Sequence, residues 1–459
     1  MTVHTFQQTP RQTRRTARVT QTAAAALLAV VASASPLFAQ APAKTYAIEN
    51  ARIVTLAGAP IENGTLVIVD GKIAAVGAGV AVPAGAERID GKGLQIYPGF
   101  FDAATQLGLT EVGAVRATVD TNELGDYNPQ LVAAMAVHPA SDHIPVARAN
   151  GITHAMTVPG TSGVIAGQAS VIALNGWTVE EMLIAPSAGM IVNWPQLATS
   201  TFDFTTFSQR SRPFTEVKAE YDKKIADLTE WIARARRYQQ AVDTAAATTP
   251  RDLKLEAMLP VIKGERPLII SANRERAIRD ALKFCEEQKL RVVIYGGDEA
   301  RKVKDLLAKQ KVPVILGPTL TMPSDDDEPY DSPFTLPSDL HKAGIKVALA
   351  TFNSADSRTL PYETGNAVAY GLPHEEGLKA ISLYPAQIFG LDKQLGTIET
   401  GKIANVIVTS GDPLELTTEV KYLFIKGQLT SLDNKHQRSY ETWRSRPRPT
   451  GTTRTTASK

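Results

Sequence analysis

Two strand-rich ends bracket a long middle in which apolar strands alternate with amphipathic helices, and that arrangement narrows the possible folds more than any other feature of the chain. From Tyr46 the segments "YAIENARIVTL", "GTLVIVDGKIAAVG" and "AERIDGKGLQIYPG" alternate apolar and polar residues, and Asp70–Gly71 supplies a tight hairpin turn. A matching set returns as "GTIETGKIANVIVTSGD" and "VKYLFIKGQLTSLD". The pattern predicts one small β-sandwich built from both ends, over residues 46–96 and 394–430. Between them, residues 151–158, 266–273, 291–297, 312–318 and 345–352 read as buried strands. Helical patterns such as "RERAIRDALKFCEEQ" and "DEARKVKDLLAKQ" separate several of these strands. An α/β domain over 97–393 is expected, with a parallel sheet closed or wound by βα units. Residues 216–247 read as one long helix or a helical hairpin inserted into it. Residues 438–459 carry almost no apolar content and are expected to be disordered.

The chain of 459 residues is 43% hydrophobic and 21% charged, which excludes a disordered or low-complexity chain. A net charge of +2 without a long basic stripe argues against nucleic acid as a partner. One cysteine, Cys285, excludes a disulfide framework, a multi-cysteine zinc site and an iron–sulfur cluster. Arg11, Arg14, Arg15 and Arg18 precede an apolar run and small residues around Ala39, so residues 1–39 read as a cleavable export signal. The Arg14–Arg15 pair admits the twin-arginine route beside general secretion. Removing four arginines and no acids takes 49 basic residues to 45 against 47 acidic ones. The expected product is a near-neutral periplasmic or secreted protein, and no later apolar run is long enough to span a membrane.

At this point "YPGFFDAATQLGL" resembles the first barrel strand of the amidohydrolase superfamily, whose pattern ends in His-x-His. "GKIANVIVTSGDPL" followed by "VKYLFIKGQ" resembles the C-terminal signature of the same superfamily. "GITHAMTVPGTSGVIAGQASVIALNG" and "LPYETGNAVAYGLPHEEGLKAISLYPAQIFGL" are similar to its imidazolonepropionase-related branch. The resemblance runs from Tyr46 to about Thr430. It implies a (β/α)₈ TIM-type barrel with a β-sandwich, and a metal-dependent hydrolase of C–N and related bonds.

The resemblance also implies where a metal would be held, and there the sequence departs from it. Asp102 stands where the aspartate before the His-x-His pair belongs, but the two histidine positions hold Ala104 and Gln106. The next histidine falls in "IISANR", where Ser271 and Asn273 stand, and the following one in "IYGGDE", at Gly296. The last barrel aspartate falls at Phe352 or Asn353, with Asp356 the nearest carboxylate. Zinc takes imidazole, thiolate or carboxylate donors, and a site without them does not lower the pKa of a bound water towards 7. No cofactor is therefore expected. The geometry of strands predicts that Ala104, Gln106, Ser271, Asn273 and Gly296, with Asn353, face one uncharged cavity at the barrel mouth, suited to a small polar molecule.

Other templates offer little. No nucleophile elbow, Walker motif or dinucleotide fingerprint is present. His154 reads as a core residue, Cys285 as a buried helix residue, and the acidic run 325–328 as a solvated loop rather than a calcium site. Asn273, Arg274, Asp298 and Glu299 gather at the ends of neighbouring strands, as a ligand-binding or catalytic set or as a salt-bridged substitute for the metal. Asp102, Arg274, Asp298 and Asp356 are thus the candidate catalytic residues. Three readings remain open: an exported member that has lost its metal centre and binds a ligand or partner, an active hydrolase with a metal-free or atypical metal site, or a purely structural scaffold.

Overall fold

The computed structural model describes residues 44–203 and 207–447. The segment read as an export signal lies outside them. Among the described residues, eighteen strands form two eight-stranded sheets and a hairpin.

The first sheet joins the two ends of the chain. Its strands are β1 (Tyr46–Ile53), β2 (Ile61–Val69), β3 (Lys72–Gly77), β4 (Glu87–Asp90) and β5 (Gln95–Pro98), completed by β16 (Val406–Thr409), β17 (Val420–Ile425) and β18 (Gln428–Thr430). The order is β18-β17-β16-β5-β1-β2-β3, with β4 beside β1. The seam is the antiparallel pair β5–β16, in which Ile96 faces Val408 and Pro98 faces Val406. Ile48, Ile53, Leu66, Ile68, Ile96, Val406 and Phe424 bury one apolar cluster on this sheet. Asp70 and Gly71 have φ of 48° and 78°, the left-handed pair that a two-residue hairpin turn requires. A β-carbon on Gly427 would come within 2.5 Å of Gly71, so the two tight turns abut and neither position has room for a side chain.

The second sheet is a TIM-type barrel. Its strands are β6 (Phe100–Thr105), β7 (Ile152–Thr157), β8 (Ile165–Ala173), β9 (Leu183–Asn193), β12 (Leu268–Ala272), β13 (Val292–Gly296), β14 (Val314–Leu316) and β15 (Val347–Leu349). A small hairpin of β10 (Ser200–Asp203) and β11 (Ser208–Ser211) lies between β9 and β12 in sequence. Seven barrel strands run parallel, but β8 is antiparallel to both β7 and β9. Residues 164–193 therefore form a long hairpin where a βα unit was expected, because only a short connection links β8 to β9. Phe101, Met156, Ile191, Ile269, Val293, Ile315 and Ala348 fill the barrel interior. Each large side chain so buried is worth about 1.5–3 kcal/mol over its exposed state.

Outside the barrel, one unbroken helix spans Phe214–Ala245, which decides between the single helix and the hairpin. Its buried stripe, Val217, Tyr221, Leu228, Ile232 and Ala235, follows the helical period. Tyr221 ties it to the barrel by accepting from Trp194 Nε1 (3.1 Å) and donating to Asp280 (2.7 Å). The stretch expected to be disordered from residue 438 is helical at its start. Lys435–Arg444 is a helix whose Asn434 cap accepts from the N–H groups of His436 and Gln437. Capping supplies what its polar composition does not. Residues 448–459 lie outside the described residues.

Candidate functional site at the barrel mouth

Strand β15 has only three residues, and the loop after it closes the barrel. The N–H of Phe352 donates to the Ala104 carbonyl (3.0 Å), joining the last strand to the first. Asp102, fully buried on β6, adds a side-chain clasp: Oδ1 accepts from Thr351 N (3.2 Å) and Ala104 N (3.4 Å), and Oδ2 from the Thr351 hydroxyl (2.6 Å). Burial pushes the Asp102 carboxyl up to about 7, against the downward pull of those bonds. Arg274 is not its partner; backbone N–H groups and a hydroxyl are. Beside this clasp Thr105 shares a hydrogen bond with Ser357 (2.8 Å) and donates to the Asn353 carbonyl (3.1 Å).

Across the mouth, the Tyr295 and Phe352 rings meet at a tilt of 37° with centroids 4.5 Å apart. Phe352 holds φ of 57°, a left-handed conformation that costs an L-residue roughly 1–2 kcal/mol. Gly296 has φ of 94°, and a β-carbon there would stand 1.9 Å from Asn273 Oδ1. The Asn273 amide thus occupies the space a side chain at 296 would need, while its Oδ1 accepts from Gly297 N (3.0 Å).

These contacts separate residues that strand geometry alone would gather. Ala104 is fully buried in the apolar interior. Gln106 is half-buried and accepts from Thr110 (3.4 Å). Ser271 is half-buried and pairs in register with Tyr295. Asn353 is exposed and caps Ala355 N (2.8 Å). Asp356 precedes a short 3₁₀ turn, Ser357–Thr359. The cavity that does form, of about 280 Å³, lies off the barrel axis between the ends of β13 and β14 and the helix Ser332–Lys342. Asn273, Asp298, Thr319, Ser324, Glu328 and Phe352 are among the residues lining it. Of the six positions expected to share a cavity, only Asn273 lines this one.

The four neighbouring polar residues divide as well. Arg274 pairs with Glu299 (3.2 Å) and with Asp325, and Lys302 with Glu299 (2.8 Å) and Glu328 (3.8 Å). Burial pushes the Glu299 carboxyl up, but the Glu275 N–H, Lys302 and Arg274 outweigh it and hold the group below the usual range. Asp298 makes no such pair. It accepts from the Ser324 hydroxyl (3.2 Å), and burial leaves its carboxyl above the usual range. Glu363, which the sequence did not single out, is buried and accepts from Thr319 N (3.1 Å) and Thr359 Oγ1 (2.8 Å), fixing the cavity rim from below. His154 is a core residue as expected: buried against Phe101, bonded to Thr153 (2.7 Å), with burial pushing it down to about 3. Cys285 is buried in its helix, its thiol pushed up to about 12.

A dication of the zinc type does not fit the donors at the mouth. Ala104 and Gly296 offer no side-chain donor, Gln106, Asn273 and Asn353 offer amides, and Asp102 already accepts three bonds. Among the described residues, one group of three possible ligands lies within 4.8 Å, namely Glu299, Asp325 and Glu328. Arg274 and Lys302 are already paired with it, which leaves one net negative charge among the five groups.

The model of the Amidohydrolase family matches residues 332–430. A curated relative, Amidohydrolase tasK of Hapsidospora irregularis, is 21% identical over 393 residues, covering 80% of this chain. The match takes in 39% of that relative, so the chain spans about two fifths of its length. The solved amidohydrolase from Thermotoga maritima MSB8 is 27% identical, with a TM-score of 0.72 over 84% of this chain and 99% of that one. A prolidase solved with N-methylphosphonate-L-proline is 15% identical, covers 84% of this chain and all of its own (100%), and has a TM-score of 0.51, a likeness of fold alone.

Proposed function

This chain belongs to the amidohydrolase superfamily, and we propose that it is an exported member that has lost the metal centre and binds a small polar molecule at the barrel mouth. One observation carries the reading: where the superfamily resemblance would place ligands, the packed Tyr295 and Phe352 rings and the Asn273 amide take up space. Without a dication no group there generates hydroxide at neutral pH. The imidazolonepropionase-related branch and the β-sandwich character of the composite sheet belong to the same proposal, resting on the motifs and the β5–β16 seam. Signal cleavage near Gln40 and a periplasmic or secreted location rest on the basic and apolar start of the chain.

A second reading, hydrolysis without a metal, is favoured by the unpaired Asp298 carboxyl in the cavity, a group placed as a general base would be. One experiment separates the two. The full chain is purified from an envelope fraction of zinc-supplemented cells, its N-terminus sequenced, its metal content measured, and N-acyl amino acids and Xaa-Pro dipeptides offered as substrates. Substoichiometric metal and no turnover are expected. Near-stoichiometric zinc with turnover would overturn the proposal, and metal-free turnover abolished in Asp298→Asn would install the second reading.

A further inference from the structure

We propose that a cavity at the foot of the barrel is a binding site for small organic anions, molecules with one acidic head and a compact apolar body. It lies where the strands begin, at the opposite end from the mouth, and does not depend on the reading of the mouth. The space measures about 500 Å³, within the range of ligand pockets. Arg291 leads into β13, Lys311 into β14 and Lys346 into β15, three successive neighbours in the sheet, and all three residues line the cavity. Among the described residues none of the three pairs with a carboxylate. Arg291 Nη1 donates to the Gly264 carbonyl (3.1 Å), and Lys346 Nζ stands 5.9 Å from the Tyr384 ring centre, contacts that leave both charges in place. Glu286 is the acid of the lining, and it accepts from Gln310 Nε2 (3.1 Å). Exposed bases on the neighbouring helix Glu275–Glu287 do find acids, Arg279 with Glu275 (2.9 Å) and Lys283 with Glu287 (3.9 Å).

All three cations are exposed, so the attraction is not that of a buried charge lacking a partner. It is one of summed field. Like charges gathered round a concavity with apolar walls raise a positive potential inside it, and an anion that enters meets several of them at once. The floor suits the rest of such a molecule. Leu282, Leu290, Val293 and Ile388, each buried, present apolar surface against which a ring or short alkyl body packs. Gln387, on the helix Leu383–Ile388, adds an amide whose N–H groups can donate to an acidic head.

The test is calorimetric titration of the full chain with 3-phenylpropionate, 2-phenylethanol and 2-phenylethylamine, which share a ring and differ in charge. The carboxylate is expected to bind about tenfold or more tightly than the alcohol, and the amine not at all. Raising the salt from about 20 mM to about 0.5 M should erase the preference, since the cations are open to solvent. Lys311→Gln combined with Lys346→Gln should erase it at low salt and leave the alcohol's affinity unchanged. Lys309→Gln, the same charge change at an exposed lysine outside the lining, should leave the preference intact. Should the double variant not fold, either single variant is read in its place, with about a threefold loss of carboxylate affinity expected. Equal binding of carboxylate and alcohol, preference for the amine, no binding of any, an unchanged preference in the lysine variants, or an equal loss in Lys309→Gln would each overturn the inference. Zinc or turnover at the mouth would defeat the proposed function and leave this measurement standing on its own.

Discussion

Replacing Asp102 by asparagine should make the chain's stability less dependent on pH, and the structure sets the size of the effect. The Asp102 carboxyl is fully buried, and its pKa is raised from 3.8 to about 7 because burial outweighs its three accepted bonds. A carboxyl that holds its proton more tightly folded than unfolded stabilises the fold at low pH, and that stability is lost as pH rises from about 4 through about 7. From about pH 5 to above pH 7 the change spans roughly two units at about 1.4 kcal/mol each, or about 3 kcal/mol. Asparagine keeps the acceptor for Thr351 N and Ala104 N. Its amide donates to Thr351 Oγ1, which turns to the Asn353 carbonyl, 3.3 Å away. Urea unfolding of both proteins at about pH 5 and about pH 8.5 measures the effect. The two should be near equal in stability in acid, with the asparagine variant ahead by about 3 kcal/mol in base. Parallel pH profiles, or a variant weaker at both pH values, would refute the view that the clasp carries an uncompensated buried carboxyl.

Three further outcomes rest on the same geometry. Gly296→Ala should cost about 2 kcal/mol or more in urea unfolding, because the new β-carbon meets Asn273 Oδ1 at 1.9 Å and the backbone holds φ of 94°; pairing it with Asn273→Ala should return only the clash and not the strain. Ala104→His should lower stability by about 1–3 kcal/mol through overpacking and confer no tight zinc binding by calorimetry, since the position lies inside the apolar interior. His374 Nε2–H donates to the Asp412 carboxylate at 2.5 Å, which raises the imidazole's pKa above 6.5; its contribution is full below about pH 6.5 and lost as pH rises through the raised value, so His374→Asn should remove a step of roughly 0.5 kcal/mol, small because both groups are partly exposed.

Much of the fold was legible because its signals are local. Period-two alternation marked the strands of the composite sheet, the Asp70–Gly71 pair marked its hairpin, and apolar runs followed by amphipathic helices marked β12, β13, β14 and β15. The antiparallel β8 was not legible, since an apolar run carries no direction and Ala-rich strands resemble any buried segment. The helix Lys435–Arg444 escaped notice for the opposite reason, having no buried residue to set a period. At the mouth, the residue types at 104, 106 and 296 carried the expectation of missing ligands, but residue types alone do not say which contacts surround them. Asp102 meets Thr351 across 249 positions, and Arg274 takes Asp325 rather than Asp298, choices that only the packed loops make.

Phe352 connects the two halves of the mouth. Its backbone N–H closes the barrel on Ala104, and in its left-handed conformation the ring packs against Tyr295. Phe352 also lines the cavity beside Asp298. A barrel whose axis is filled by side chains has no room for a ligand there, yet the loops at the carboxyl ends of its strands remain free to vary without disturbing the packed interior. Polarity has accordingly gathered off the axis, where Asn273, Thr319, Ser324 and Asp298 come from the ends of β12, β13 and β14 and the loop beyond. Closure of the barrel runs through Asp102, which accepts from Thr351 and Ala104, and through the Phe352 N–H on the Ala104 carbonyl. Whatever chemistry or recognition the mouth carries out must then be read from its rim.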